Sequence, residues 1–296
     1  MHSGVLAAMA AYIWWGLFPI YIKQIQQAGA LEIVLHRGVW SLVFMALLLT
    51  AWRRWAWLPA ALRSPRTMGV FALSTLLVSA NWLLYVWAVN AHRVLDASLG
   101  YFINPLLNVA LGYFVLHERP RPLQWLAVGL AAAGVLWLTV AAGALPWVSL
   151  GLAGSFGLYG LLRKTAPLGP AEGLALETLL LALVGGPLLW WLGGTTGNAF
   201  AQGDWVLRAW LVAAGPITAV PLLLFAYGAR RITLATLGLL QYLGPSIQFG
   251  LGVWLYHEPF NPTRALGFAI IWLALLVYSA ESLLRMRRAA TANAPA

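Results

Sequence analysis

No cysteine occurs anywhere in this sequence, which excludes disulfides, thiolate metal sites and cysteine nucleophiles. Charge is almost as scarce. Only 9% of the 296 residues are Asp, Glu, Lys or Arg, against roughly 25% in a soluble domain. So little polar side chain cannot cover a water-facing surface. With 61% hydrophobic residues and a mean hydropathy of +0.79, the chain reads as an all-α integral membrane protein.

Signatures of several other functions are missing too. An ATP-driven pump needs a G-x-x-x-x-G-K-[ST] loop in a soluble domain, and a zinc enzyme of the H-E-x-x-H type needs a second His four residues on. His117-Glu118 and His257-Glu258 lack that second His, and Asp96 and Asp204 both lie near the ends of apolar segments. No metal or cofactor is therefore expected. The formal net charge of +10 does not point to nucleic acid, because the basic residues sit in short loops and form no run interleaved with aromatics. A membrane-embedded enzyme acting on a lipid-linked substrate stands as the alternative to transport.

Ten apolar segments can be placed, near residues 4–21, 31–51, 68–88, 94–116, 123–141, 147–162, 171–192, 205–227, 232–256 and 263–284. The first is read as a retained helix rather than a signal peptide. The sixth is the shortest, with four glycines, and a nine-span reading would drop it. Loop charge favours ten. One side then holds Arg53, Arg54, Arg63, Arg66, Arg119, Arg121, Arg163, Lys164, Arg230, Arg231 and the C-terminal Arg285, Arg287 and Arg288. The other holds Lys23, Arg93, Arg208 and Arg264. The basic excess marks the first side as cytoplasmic, with both termini on it.

The chain also repeats itself. At a shift of 140 residues Leu99, Pro105, Leu111, Gly112, His117, Glu118 and Pro122 recur as Leu239, Pro245, Leu251, Gly252, His257, Glu258 and Pro262. The shift spans five segments, an odd number, so the second copy must cross the membrane in the opposite sense. The expected architecture is ten transmembrane helices as two inverted five-helix repeats, residues 1–143 and 144–286, with 287–296 as a disordered tail. Repeats of this kind place a site near the midplane and favour two related conformations.

Both copies are expected to be broken helices, hinged at Pro105 and at Gly244-Pro245. Proline lacks an N–H and crowds the carbonyl four residues earlier. Pro105 should free the carbonyl of Tyr101, and Pro245 that of Gln241, and an unmet carbonyl in lipid costs several kcal/mol. Asn104, Asn108, Ser246 and Gln248 supply polar groups beside the kinks; packing against a neighbouring helix is the plainer alternative. Pro216 and Pro221 should bend the eighth segment.

Arg37 lies ~9 Å into the second helix, and Glu177 takes the same register in the seventh. Their levels should differ by ~12 Å across a ~30 Å core, so direct contact is not expected. Each is expected to line the cavity from its own end, with snorkelling to the headgroups as the alternative for Arg37. Glu177 is the candidate for proton coupling. His36, four residues after Glu32, can be held by it. Asn81, Trp82 and Tyr85 share one face of the third helix, as Tyr12, Trp15 and Pro19 do in the first. Mid-span aromatics beside amides fit a pocket for an amphipathic or aromatic solute, whereas Trp52, Trp55 and Trp57 read as an interface belt. Glu118 and Glu258 are expected to cap the next helix, with a gate as the alternative. The resulting substrate-pathway set is Tyr12, Trp15, His36, Arg37, Asn81, Trp82, Tyr85, Tyr101, Asn104, Glu177, Gln241, Tyr242 and Ser246.

Several of these residues also carry a resemblance. Trp15-Gly16, His36-Arg37, Asn81-Trp82, the run from Ala97 to Leu106 ending in Asn104-Pro105, Leu176-Glu177-Thr178 and Leu239-Leu240-Gln241-Tyr242 with Pro245-Ser246 resemble the RarD proteins. These belong to the EamA-type branch of the drug/metabolite transporters. The resemblance covers nearly the whole chain and implies a ten-helix permease of the bacterial inner membrane, monomeric or homodimeric, with the bilayer and a small molecule as its partners. His117 and His257 depart from the family pattern and are given no role.

Overall fold

The computed structural model describes residues 2–90, 94–143, 147–195, 198–255 and 262–292. Every regular element among them is helical: α1 (His2–Gln24), α2 (Ala30–Ala51), α3 (Leu58–Arg63), α4 (Pro65–Asn90), α5 (Val94–Phe114), α6 (Pro122–Ala142), α7 (Trp147–Thr165), α8 (Pro170–Thr195), α9 (Ala199–Gln202), α10 (Trp205–Ala229), α11 (Leu234–Gln241), α12 (Leu243–Gly250), a π-helical turn (Leu251–Leu255) and α13 (Pro262–Ala292). Six of them, α1, α2, α4, α6, α8 and α10, are long and apolar enough to cross a membrane. Their outer faces expose Leu6, Leu47, Leu76, Val140, Leu183 and their neighbours. In water such a surface would be a liability; in a bilayer it is the solvent-matched one.

The glycine-rich sixth segment is a full helix, α7, packed against α4 and α5. Its small residues allow that approach. A Cβ at Gly157 would come within 2.9 Å of the Leu107 side chain.

The helix neighbours follow the 140-residue shift. The pair α5–α7 becomes α1 against α11 and α12, and α1–α10 becomes α4–α7. The pairs α2–α8, α5–α11 and α6–α13 become themselves.

α10 is helical past both Pro216 and Pro221. Two expectations need correction. First, α5 is not broken: it runs through Pro105, whereas its counterpart breaks at Tyr242, between α11 and α12. Gly244 replaces Asn104 there, and glycine costs a helix interior about 1 kcal/mol relative to alanine. Second, α13 continues to Ala292 through residues expected to form a tail, where Leu, Met, Arg and Ala are good helix formers. Residues 293–296, His257 and Glu258 lie outside the described residues. The short helices α3 and α9 had no signal in the apolar pattern.

Candidate functional site

A cavity lies among α1, α2, α4, α5, α7, α10, α11 and α12. It measures about 80 Å³. Its wall is formed by Tyr12, Trp15 and Phe18 of α1, Arg37 of α2, Asn81, Trp82 and Tyr85 of α4, Tyr101 of α5, Phe156 of α7, Leu222 of α10, Gln241 of α11, and Gly244, Pro245 and Gln248 of α12. Seven of these are aromatic. Trp15 meets Phe156 edge-on at 5.6 Å and Tyr85 meets Tyr101 at 5.7 Å between ring centroids. Such contacts prefer tilted or edge-to-face arrangements, which keeps the wall firm. Among the described residues no group of three or more His, Asp or Glu converges as a metal site.

Among the described residues, Arg37 brings the only formal charge to this wall. It is 5% exposed. Its Nε donates to Oγ1 of Thr218 at 3.0 Å, and its guanidinium carbon sits 4.1 Å from the Trp82 ring centroid and 5.0 Å from that of Phe18. Thr218 lies between the two prolines of α10, so that segment supplies the partner that positions Arg37.

Other expected pathway residues lie outside the wall. His36 accepts from Nε1 of Trp40 at 3.1 Å, and its Nε2 is 3.7 Å from Glu32. Glu32 in turn accepts from the backbone N–H groups of Ala199 and Phe200, both at 3.0 Å, and so holds the start of α9. Asn104 is buried, and the neighbouring Asn108 donates to Gln241 at 3.2 Å, joining α5 to α11. The Tyr242 hydroxyl donates to the Phe102 carbonyl at 3.1 Å, and Ser246 accepts from Trp272 at 2.7 Å.

Glu177 does not line this cavity. It borders a smaller one, shared with Trp82 and Leu222. Its carboxylate accepts from Ser74 and from Tyr159 (3.4 Å), and lies 3.6 Å from Arg163. Loop-charge counting puts Arg163 in a cytoplasmic loop. It is instead 1% exposed, in the last turn of α7, with Nη2 donating to the Pro170 carbonyl. The 140-residue shift pairs Glu177 with Arg37 and Arg163 with Lys23, but it relates positions in the two halves and does not say which helices of one half touch.

The rule that a proline frees a carbonyl four residues back operates at prolines outside the expected pair. Pro19 frees Trp15, and Gln248 donates to that carbonyl at 3.1 Å. Pro221 frees Ile217, and the Trp14 indole donates there at 3.1 Å. Gln248 was legible as a polar group near a kink; Phe18, Phe156 and Leu222 carried no polar signal, although Phe18 follows Trp15 at helical spacing.

The cavity lies partway along the bundle, with Gln241 of its wall seven residues into α11. Arg37 and Tyr101 each lie seven residues into their helices, ~10 Å from the start. At one end of the bundle Glu118 accepts from the N–H groups of Leu234 (3.0 Å) and Ala235 (3.4 Å). Glu118 therefore caps α11, not the helix that follows it. Lys164 lies 3.6 Å from Glu118 and donates to the carbonyls of Ala229 and Ile232. Arg230 donates to those of Ala166 and Leu168. Together these close that end.

Comparison with known proteins follows this geometry. Residues 2–140 match the EamA-like transporter family. The chain is 45% identical to the Streptomyces exfoliatus protein RarD, over 97% of this chain and 91% of that one. It is 42% identical to RarD of Escherichia coli strain K12, over 97% of each. A solved protein crystal structure shares the fold, with a TM-score of 0.71 at 18% identity, covering 97% of this chain and 99% of that one.

Proposed function

This chain belongs to the EamA-like transporter family, in its RarD group, and from that premise we propose that it is a secondary permease of the bacterial inner membrane. It moves a small amphipathic or aromatic solute by alternating access. The observation that carries this reading is the aromatic cavity within the bundle, with one end of the bundle tied together by Glu118, Lys164 and the start of α11. Transport then requires a second state, in which the closure opens and the cavity wall changes partners.

The reading uses ten spans in two inverted halves with both termini cytoplasmic. It is supported by the exchange of helix neighbours at the 140-residue shift and by the loop-charge bias. Gly244 and Pro245, beside the break at Tyr242, serve as the hinge. One chain encloses the whole cavity, so a monomer is a sufficient transporting unit. Proton coupling falls to Glu177, separated from the cavity by Trp82 and Leu222. Glu177→Gln should then abolish proton-driven uptake and spare exchange.

Vesicles reconstituted with the purified protein test the main claim. They should show saturable solute flux, with the solute recovered chemically unchanged. Product formation without flux would favour the membrane-enzyme alternative.

A further inference from the structure

Among the described residues, buried charges are met by opposite charge or by backbone amides, with one exception. Glu177 has Arg163, Glu281 has Arg121 at 2.5 Å, and Glu32 has two α9 amides beside His36. Arg37 is as deeply buried, yet among the described residues no carboxylate comes within 4.0 Å of it, and no protein acceptor takes the N–H groups of its two terminal nitrogens. A lone charge in a spanning helix is expensive and faces a watery cavity or a partner. Here it faces the cavity.

We propose that Arg37 is the docking point for the carboxylate of an aromatic monoacid, the solute class this permease carries; the inference rests on the permease reading above. A guanidinium offers five donors in a planar fork. Thr218 occupies Nε, and the Trp82 and Phe18 rings lie against the group. The Nη edge is left free, and it matches a carboxylate with two parallel hydrogen bonds. No acidic residue lines the cavity, so a monoanion neutralises the site. A phosphate monoester, at about −1.5 to −2, would leave it net negative. The remaining wall suits an aryl body. The Tyr12 hydroxyl adds a further polar group: it is buried and has no hydrogen-bond partner in the protein.

The test is calorimetric binding to the purified full-length protein, comparing phenylacetate with phenylacetamide. The two share shape and differ in charge. Phenylacetate should bind at least about tenfold more tightly, as expected of a charge-assisted pair. That ratio should fall to near one in Arg37→Gln. Equal affinity for acid and amide in the wild type overturns the assignment, and that comparison needs no variant to fold. A preference that survives in Arg37→Gln also overturns it, as does displacement of phenylacetate by equimolar chloride or inorganic phosphate. Carboxylate binding without flux in vesicles would keep Arg37 as the anion site and sink the permease reading. Flux of neutral aryl solutes with no preference for the acid would do the reverse.

Discussion

Glu177 and Arg163 hold each other 3.6 Å apart in the bundle interior, with side chains 3% and 1% exposed. Removing one member of such a pair strands the other, at a cost of about 3–5 kcal/mol, whereas replacing both with apolar groups is often neutral. Glu177→Gln should therefore lower thermal stability in detergent sharply. Adding Arg163→Met to the same chain should recover most of the loss. A stable single variant would mean that Ser74 and Tyr159 suffice to hold this region.

Glu118 joins α5 to the start of α11 through two backbone amides and faces Lys164. Glu118→Gln keeps the shape and removes the charge, so it should loosen that end. Because the chain has no cysteine, a single Leu111→Cys replacement is a unique label. Its reaction with a maleimide should quicken several-fold in the Glu118→Gln background. Unchanged labelling would show that the closure does not depend on this carboxylate.

Gln248 satisfies the Trp15 carbonyl that Pro19 leaves open. Gln248→Leu should cost about 1–3 kcal/mol through the unmet buried carbonyl. In Pro19→Ala the helix supplies its own N–H, so the same substitution should then cost much less. A double-mutant thermal-unfolding cycle measures the difference. Additive losses would break the link between the two residues.

Gly238 lets α11 lie directly on α5. A Cβ there would stand 2.7 Å from the Pro105 carbonyl oxygen and 3.1 Å from its Cα, and backbone yields little. Gly238→Ala should destabilise the protein by about 1–3 kcal/mol, as overpacking does. Thermal unfolding beside a Gly69→Ala control, where nothing lies within 4 Å, checks this.

Much of the cavity wall could be read from the sequence. Asn81, Trp82 and Tyr85 fell on one helical face, as did Tyr12 and Trp15, and the 140-residue shift led to Gln241, Gly244 and Pro245. These signals are local: they depend on period and repeat, which a single helix expresses. Arg163, Thr218 and the capping of α11 by Glu118 depend on which helices become neighbours, and no spacing within one helix encodes that. The break at Tyr242 falls two to three residues before the expected Gly244-Pro245 for a related reason. Proline marks where a helix can yield, while the packing around Phe102 and Trp272 decides where it does.

The separation of α12 from α11 has a mechanical consequence. Three residues of the cavity wall, Gly244, Pro245 and Gln248, ride on this eight-residue piece, while α11 stays clamped at its far end by Glu118. Swinging the short piece aside would mean releasing the side-chain bonds from Gln248 to Trp15 and from Trp272 to Ser246 and parting its packing against α1, where Ile247 lies on Gly16. Any such movement would then be local to one short helix and its bed on α1, and would leave the other helix pairs of the bundle in place.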